Sequence, residues 1–172
     1  MALHACAKSE NTSSPSVEKK TEKILFATRS SISNDQKFDV DGDGKSDVVE
    51  VVTIGNTAQL PPSINLVTPW AQNDQGATVS SVATGSHNNL LITLGNSRQF
   101  LIHDVNEISV LDTDAAQDIS IALKPSLVEL ELPELHAQTK GDVIVIPTEA
   151  GIDTYLYWNG ASFQVFEPLE IP

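Results

Sequence analysis

Between Phe38 and Val48 the chain reads Asp39-Val40-Asp41-Gly42-Asp43-Gly44-Lys45-Ser46-Asp47, which sets carboxylates at positions 1, 3, 5 and 9 of a nine-residue loop. Alternate residues of a tightly coiled loop converge on one point. Calcium takes about six to eight hard oxygens at roughly 2.3–2.6 Å, from carboxylates and backbone carbonyls. Four carboxylates held this close repel one another unless a cation lies among them. Gly44 permits the sharp turn, and the Lys45 carbonyl at position 7 is the expected backbone ligand. The pattern therefore predicts a Ca2+ site built from the side chains of Asp39, Asp41, Asp43 and Asp47 with the carbonyl of Lys45.

Counting on from Asp39 puts Glu50 at position 12, so the loop formally fits an EF-hand as well. The flanks speak against that fold, because position 8 is the polar Ser46 and the exit, Val48-Val49-Glu50-Val51-Val52, reads as a strand. In an alternating strand Glu50 faces away from the buried valines, which leaves Asp47 as the closing carboxylate. The segment Phe38 to Val52, FDVDGDGKSDVVEVV, resembles the calcium loop of FG-GAP and related VCBS-type β repeats. In those repeats a D-x-D-G-D-G-x-x-D loop runs directly into a β-strand. Tyr157 to Phe163, YWNGASF, is similar to a hairpin of small bacterial exported proteins that carry such a loop. By that resemblance Asp39, Asp41, Asp43 and Asp47 hold metal through side chains, and Lys45 through its carbonyl. The propellers of those families need several repeats. Asp112 to Asp118 lacks the glycines and spacing of a second loop, so the chain carries one such loop where a closed propeller needs several.

The elements that must position this loop read as short β-prone runs between turn residues: Ile24–Ala27, Asp47–Ile54, Ser63–Thr68, Leu90–Leu94, Phe100–His103, Ile108–Leu111, Ile119–Leu123, Leu127–Leu132, Val143–Ile146, Tyr155–Trp158 and Phe163–Phe166. Leu127–Leu132 is taken as a strand because Pro125 and Pro133 bracket it and its later half alternates. Asn159-Gly160 supplies the positive φ angles of a tight hairpin turn, and Leu91 to Phe100 reads as a second hairpin with a longer loop. Residues 55–62 and 69–89 read as loops. The expected fold is mostly β, a single domain of antiparallel hairpins arranged as a sandwich or as propeller-blade-like sheets, over residues 23–172.

At 172 residues the chain suffices for one domain with a core. Its net charge is −13; with Lys8, Lys19, Lys20 and Lys23 set against Glu10, Glu18 and Glu22, 6 basic and 20 acidic residues remain from position 24 onward. Such a surface repels phosphate backbones and attracts cations and basic proteins, so the expected partner is another protein, basic in character, and not nucleic acid. No apolar run reaches the ~20 residues of a membrane-spanning helix. Leu3-His4-Ala5-Cys6 resembles the end of a bacterial lipoprotein signal, so residues 1–6 read as a signal remnant and Cys6 as a lipid anchor, the one expected membrane link. Residues 7–22 are almost all polar and read as a disordered tether. Together these place the domain in the periplasm or tethered to the outer membrane.

No nucleophile elbow, phosphate loop or dinucleotide fingerprint occurs. His4, His87, His103 and His136 stand singly and read as surface or packing residues. The function expected is a non-catalytic, calcium-stabilised binding module of the bacterial envelope, for instance an inhibitor or immunity-type protein against a secreted toxin. The alternative is a hydrolase of cell-wall or carbohydrate substrates that uses paired surface carboxylates.

Overall fold

A computed structural model of the chain describes residues 26–31, 37–54, 60–70, 88–104, 110–114 and 118–168. They form nine strands in two sheets and one short helix. Strands β1 (Phe26–Ser31), β2 (Val48–Ile54), β3 (Ile64–Val67), β4 (Asn88–Thr93) and β5 (Gln99–Ile102) make the first sheet, in the order β1-β2-β4-β5-β3. Strands β6 (Ser120–Ala122), β7 (Val143–Ile146), β8 (Thr154–Trp158) and β9 (Phe163–Phe166) make the second, in chain order. The fold is mostly β, as the composition and punctuation imply. All pairings are antiparallel except β3 with β5, which run parallel with Asn65 opposite Phe100.

Alternation along each strand determines what lies between the sheets. Val49 and Val51 of β2, Leu90 and Ile92 of β4, and Phe100 and Ile102 of β5 share one buried cluster with Ile144 and Ile146 of β7, Leu156 and Trp158 of β8 and Phe163 of β9. Glu50 falls on the opposite face of β2 and is half-buried there, in register with Leu91. Phe100, Trp158 and Phe163 meet across the two sheets with centroids 5.0–5.4 Å apart in tilted and edge-on geometry, and Arg98 lies 5.0 Å over the Phe100 ring. The aromatic residues of the C-terminal hairpin thus serve the core with alternate side chains, Trp158 and Phe163 inward and Tyr155, Tyr157 and Phe166 outward.

Three sequence expectations are corrected. Leu127–Leu132 is not a strand. Lys124–Leu127 is a 3-10 turn with Pro125 in its first turn, and the chain closes on itself through Glu131 N–H to the Val128 carbonyl (3.2 Å) and Leu132 N–H to the Leu127 carbonyl (3.0 Å), with Glu131 left-handed at φ 58. These two bonds are the Schellman pattern of a helical C-terminus. Pro125 favours the turn, and Pro133 opens helix α1 (Pro133–Gln138) at its first position, where a missing N–H costs nothing. Leu127 and Leu135 from these two turns cover Val143, Tyr155 and Tyr157 on the outer face of the second sheet, and Tyr157 donates its hydroxyl to Gln138 Oε1 at 2.6 Å.

The expected strand at Ile108–Leu111 is the second correction: Val110–Asp112 is a 3-10 turn that buries Leu111, and residues 108 and 109 lie outside the described residues. The third concerns the Asn159-Gly160 turn. The hairpin exists, but its loop holds four residues, with Trp158 opposite Phe163 and only Gly160 at positive φ (103). The Asn159 side chain instead accepts from Ala161 N–H (2.8 Å) and Ser162 N–H (3.0 Å), a local turn that needs no left-handed asparagine. The second hairpin is present as expected, with Leu94 N–H to the Arg98 carbonyl closing its loop at 2.9 Å. The expected signal remnant and tether, the start of the Ile24–Ala27 run, and most of the two loops at 55–62 and 69–89 lie outside the described residues.

Glu131 is exposed, so its left-handed backbone can be relieved without loss of side-chain contacts. Replacing it with glycine is expected to stabilise the fold by about 1 kcal/mol, since a non-glycine residue in that region carries a steric cost of roughly that size. Urea unfolding of Glu131→Gly checks this; an unchanged or lower midpoint would show that the turn carries no such strain.

Candidate metal centre

The loop between β1 and β2 is organised by its own aspartates. Asp39 Oδ1 accepts from Gly42 N–H (2.7 Å) and Asp43 N–H (3.0 Å), and its Oδ2 accepts from Gly44 N–H (2.7 Å). Asp41 Oδ1 accepts from Asp43 N–H at 3.2 Å, and Asp43 Oδ1 from Lys45 N–H at 2.8 Å. A carboxylate at every second position thus gathers the following amides and coils the backbone, as an Asx turn does. Gly42 and Gly44 sit at φ 75 and 82, where a side chain would be strained; at Gly42 a Cβ would also strike the Lys140 carbonyl.

The coiling brings one carboxylate oxygen each from Asp39, Asp41 and Asp43 to within 4.8 Å of one another, a group that can hold a metal ion. Oxygens on opposite sides of a calcium ion stand about 4.6–5.2 Å apart, so the spread suits a shared cation of that size. Burial pushes the Asp41 carboxyl above its ordinary value; the Asp43 N–H opposes this, and the charges of Asp43 and Asp39 add to it. The Lys45 ammonium lies 3.5 Å from Asp43 Oδ2, with its side chain largely in solvent.

Asp47, the fourth expected ligand, stands outside this group. It is 5% exposed and divides its two oxygens, Oδ2 accepting from Val40 N–H and Oδ1 from Gly95 N–H, both at 2.7 Å. Desolvation raises its pKa, against the lowering effect of those two amides. Lys45 is placed at the tip of the loop, its N–H on Asp43 and its flank against Gly95.

Sequence reasoning missed Asp142. This residue is nearly buried and holds the loop to the second sheet: Oδ2 accepts from Asp39 N–H and Oδ1 from Lys124 N–H, both at 2.9 Å, while its own N–H donates to the Asp39 carbonyl at 2.7 Å. Gly141 beside it leaves room for that approach, since a Cβ there would strike the Asp39 carbonyl. The signal available was a Gly-Asp pair at the entry to a strand, with nothing in its spacing to point 103 residues back.

Comparison with protein families, curated proteins and solved structures finds no match. The candidate site therefore rests on its own geometry.

Other sequence candidates are dispersed. His103 is buried with Nδ1 2.7 Å from Asn89 Oδ1, and His136 lies half-buried on α1, while His4 and His87 fall outside the described residues. Among the described residues no second group of three or more His, Cys, Asp or Glu converges as the loop aspartates do.

Two outcomes are expected. Asp142→Ala leaves the Asp39 and Lys124 amides without their acceptor, which should cost roughly 2–4 kcal/mol; chemical denaturation measures it, and a loss under ~0.5 kcal/mol would mean water replaces the carboxylate freely. The second follows from linkage. A carboxyl whose folded pKa is raised stabilises the fold below its unfolded pKa, 3.8 for Asp41 and Asp47, and that contribution is lost as pH rises through the raised value. In chelator, Tm should therefore climb as pH falls from neutral toward the carboxylate range, and less so in Asp41→Asn. Identical pH profiles for the two proteins would contradict the assignment.

Proposed function

We propose that this domain is a non-catalytic binding module stabilised by calcium at the Asp39–Asp47 loop, and that the loop is of the FG-GAP and VCBS type. The observation that carries this reading is the convergence of Asp39, Asp41 and Asp43 within 4.8 Å on a coiled loop that runs straight into β2. Supporting it, the loop is tied to the first sheet through Asp47 and Gly95 and to the second through Asp39 and Asp142. An ion there fixes the joint between the sheets and acts as a clip. Oxygens of Asp39, Asp41 and Asp43 serve as ligands and those of Asp47 as backbone acceptors, leaving none of these groups poised as a general base. The acidic surface favours a basic protein as partner, and tethering through Cys6 in the bacterial envelope, with an inhibitory or immunity role, completes the proposal.

Calcium titration followed by thermal unfolding tests it. At a hundredfold excess of calcium over Kd the fold should gain about 2.7 kcal/mol, and chelator should remove it. Magnesium should substitute poorly because it keeps its waters in a tight octahedral shell. Asp43→Ala should weaken calcium binding by at least roughly tenfold, ~1.4 kcal/mol. A melting temperature indifferent to calcium in metal-free protein would overturn the proposal.

A further inference from the structure

The turn that replaces the expected strand at Leu127–Leu132 holds two large apolar side chains in water, Val128 at 61% exposure and Leu130 at 52%, next to Leu123 at 37%. The other large hydrophobic residue exposed among those described is Val48, which belongs to the first sheet. Exposed apolar residues that cluster call for an explanation in a way that scattered ones do not.

Leu123 and Leu130 border a cleft. An open cavity of about 480 Å3 runs beside β6 and is lined by four successive residues, Ser120 to Leu123, together with Leu130 and Tyr155. Ser120, Val145 and Tyr155 stand opposite one another on β6, β7 and β8, so the cleft lies over the outer face of the second sheet, beside the turn. β6 is the edge strand of its sheet, paired only with β7 among the described residues. The lining is mixed: Ile121, Leu123, Leu130, Val145 and Tyr155 give it apolar surface, and Glu129 and Asp153 give it acid. Asp153 lies near enough to Tyr155 for its charge to add to the burial that raises the tyrosine pKa. The turn that presents Leu130 is closed by the backbone bonds from Glu131 and Leu132, so its main chain is set before any ligand arrives.

We infer that the cleft between the outer face of the second sheet and the Leu123–Glu131 turn binds an extended segment of a basic partner protein, taking an apolar side chain between Leu123, Leu130 and Tyr155 and an Arg or Lys against Glu129 and Asp153. The sheet face and the turn beside it supply pockets for alternate side chains of such a segment. Charge decides among occupants. A second copy of a chain at net −13 is repelled from an acidic rim, whereas a cationic segment is drawn to it. This rests on the binding-module reading and gives it a surface.

Fluorescence anisotropy with labelled Arg-Leu-Arg-Leu-Arg-Leu, in calcium buffer, tests the inference against Arg-Ser-Arg-Ser-Arg-Ser and Glu-Leu-Glu-Leu-Glu-Leu. The Arg-Leu peptide should bind at least roughly tenfold more tightly than either control, about 1.4 kcal/mol. Leu130→Ser and Glu129→Lys, both at exposed positions that tolerate change, should each weaken binding several-fold, and Val48→Ser should not. Equal binding of the Arg-Ser peptide, or indifference to Leu130→Ser, would reduce the effect to diffuse acidity and overturn the proposal. So would a dimer that Leu130→Ser disperses in sedimentation, which would give the cleft to a second copy. Calcium-dependent Tm measured on the same samples separates the two readings: protein that calcium stabilises but that ignores the peptide loses the cleft and keeps the clip.

Discussion

Two buried carboxylates, Asp47 and Asp142, hold the candidate metal loop in place by each accepting backbone N–H groups from two segments. The constraint is one of satisfaction. A loop between strands carries amides that find no partners in a ladder, and near the core each unpaired one costs about 1–3 kcal/mol. Here Val40 and Gly95 share one carboxylate, and Asp39 and Lys124 share the other. Because Gly95 belongs to the β4–β5 connection and Lys124 follows β6, the arrangement ties both sheets to the loop, and the three exposed or half-buried aspartates are free to converge above it.

The loop's chemistry was legible because it is local. Aspartates at alternate positions with glycines at left-handed angles encode their own coil, and the structure brings Asp39, Asp41 and Asp43 together as the spacing implies. The strands were legible for the same reason: Val49 and Val51, or Leu156 and Trp158, declare their shared face by alternation alone. Asp47 reads in the sequence as a fourth metal ligand, but its two oxygens accept from amides, and Gly95 lies 48 residues away. Asp142 offered only a Gly-Asp pair before a strand, which names no distant partner.

The misread segment is instructive. Leu127 to Leu132 alternates over its second half, yet alternation is a burial argument and says nothing of backbone closure. Pro125 and Pro133 confine the chain between them to a compact turn, and the apolar residues split unevenly, with Leu127 and Leu132 packing on the second sheet while Val128 and Leu130 face water. The parallel pairing of β3 with β5 was equally hidden, since it depends on how the chain between them crosses the sheet and not on either strand's own residues.

The hydrogen bonds inside the candidate metal loop span two to seven residues, whereas its link to Asp142 spans 103. Closing a chain of the longer span costs about 3 kcal/mol more entropy than closing one of the shorter. The coil is therefore cheap to form on a growing chain, and its docking waits for the C-terminal third. The coil closes through local bonds, whereas its capture by the two sheets needs residues far along the chain. A cation taken up at the early stage would bind the unfolded chain as well as the folded one, and only the difference between those two affinities appears as stability.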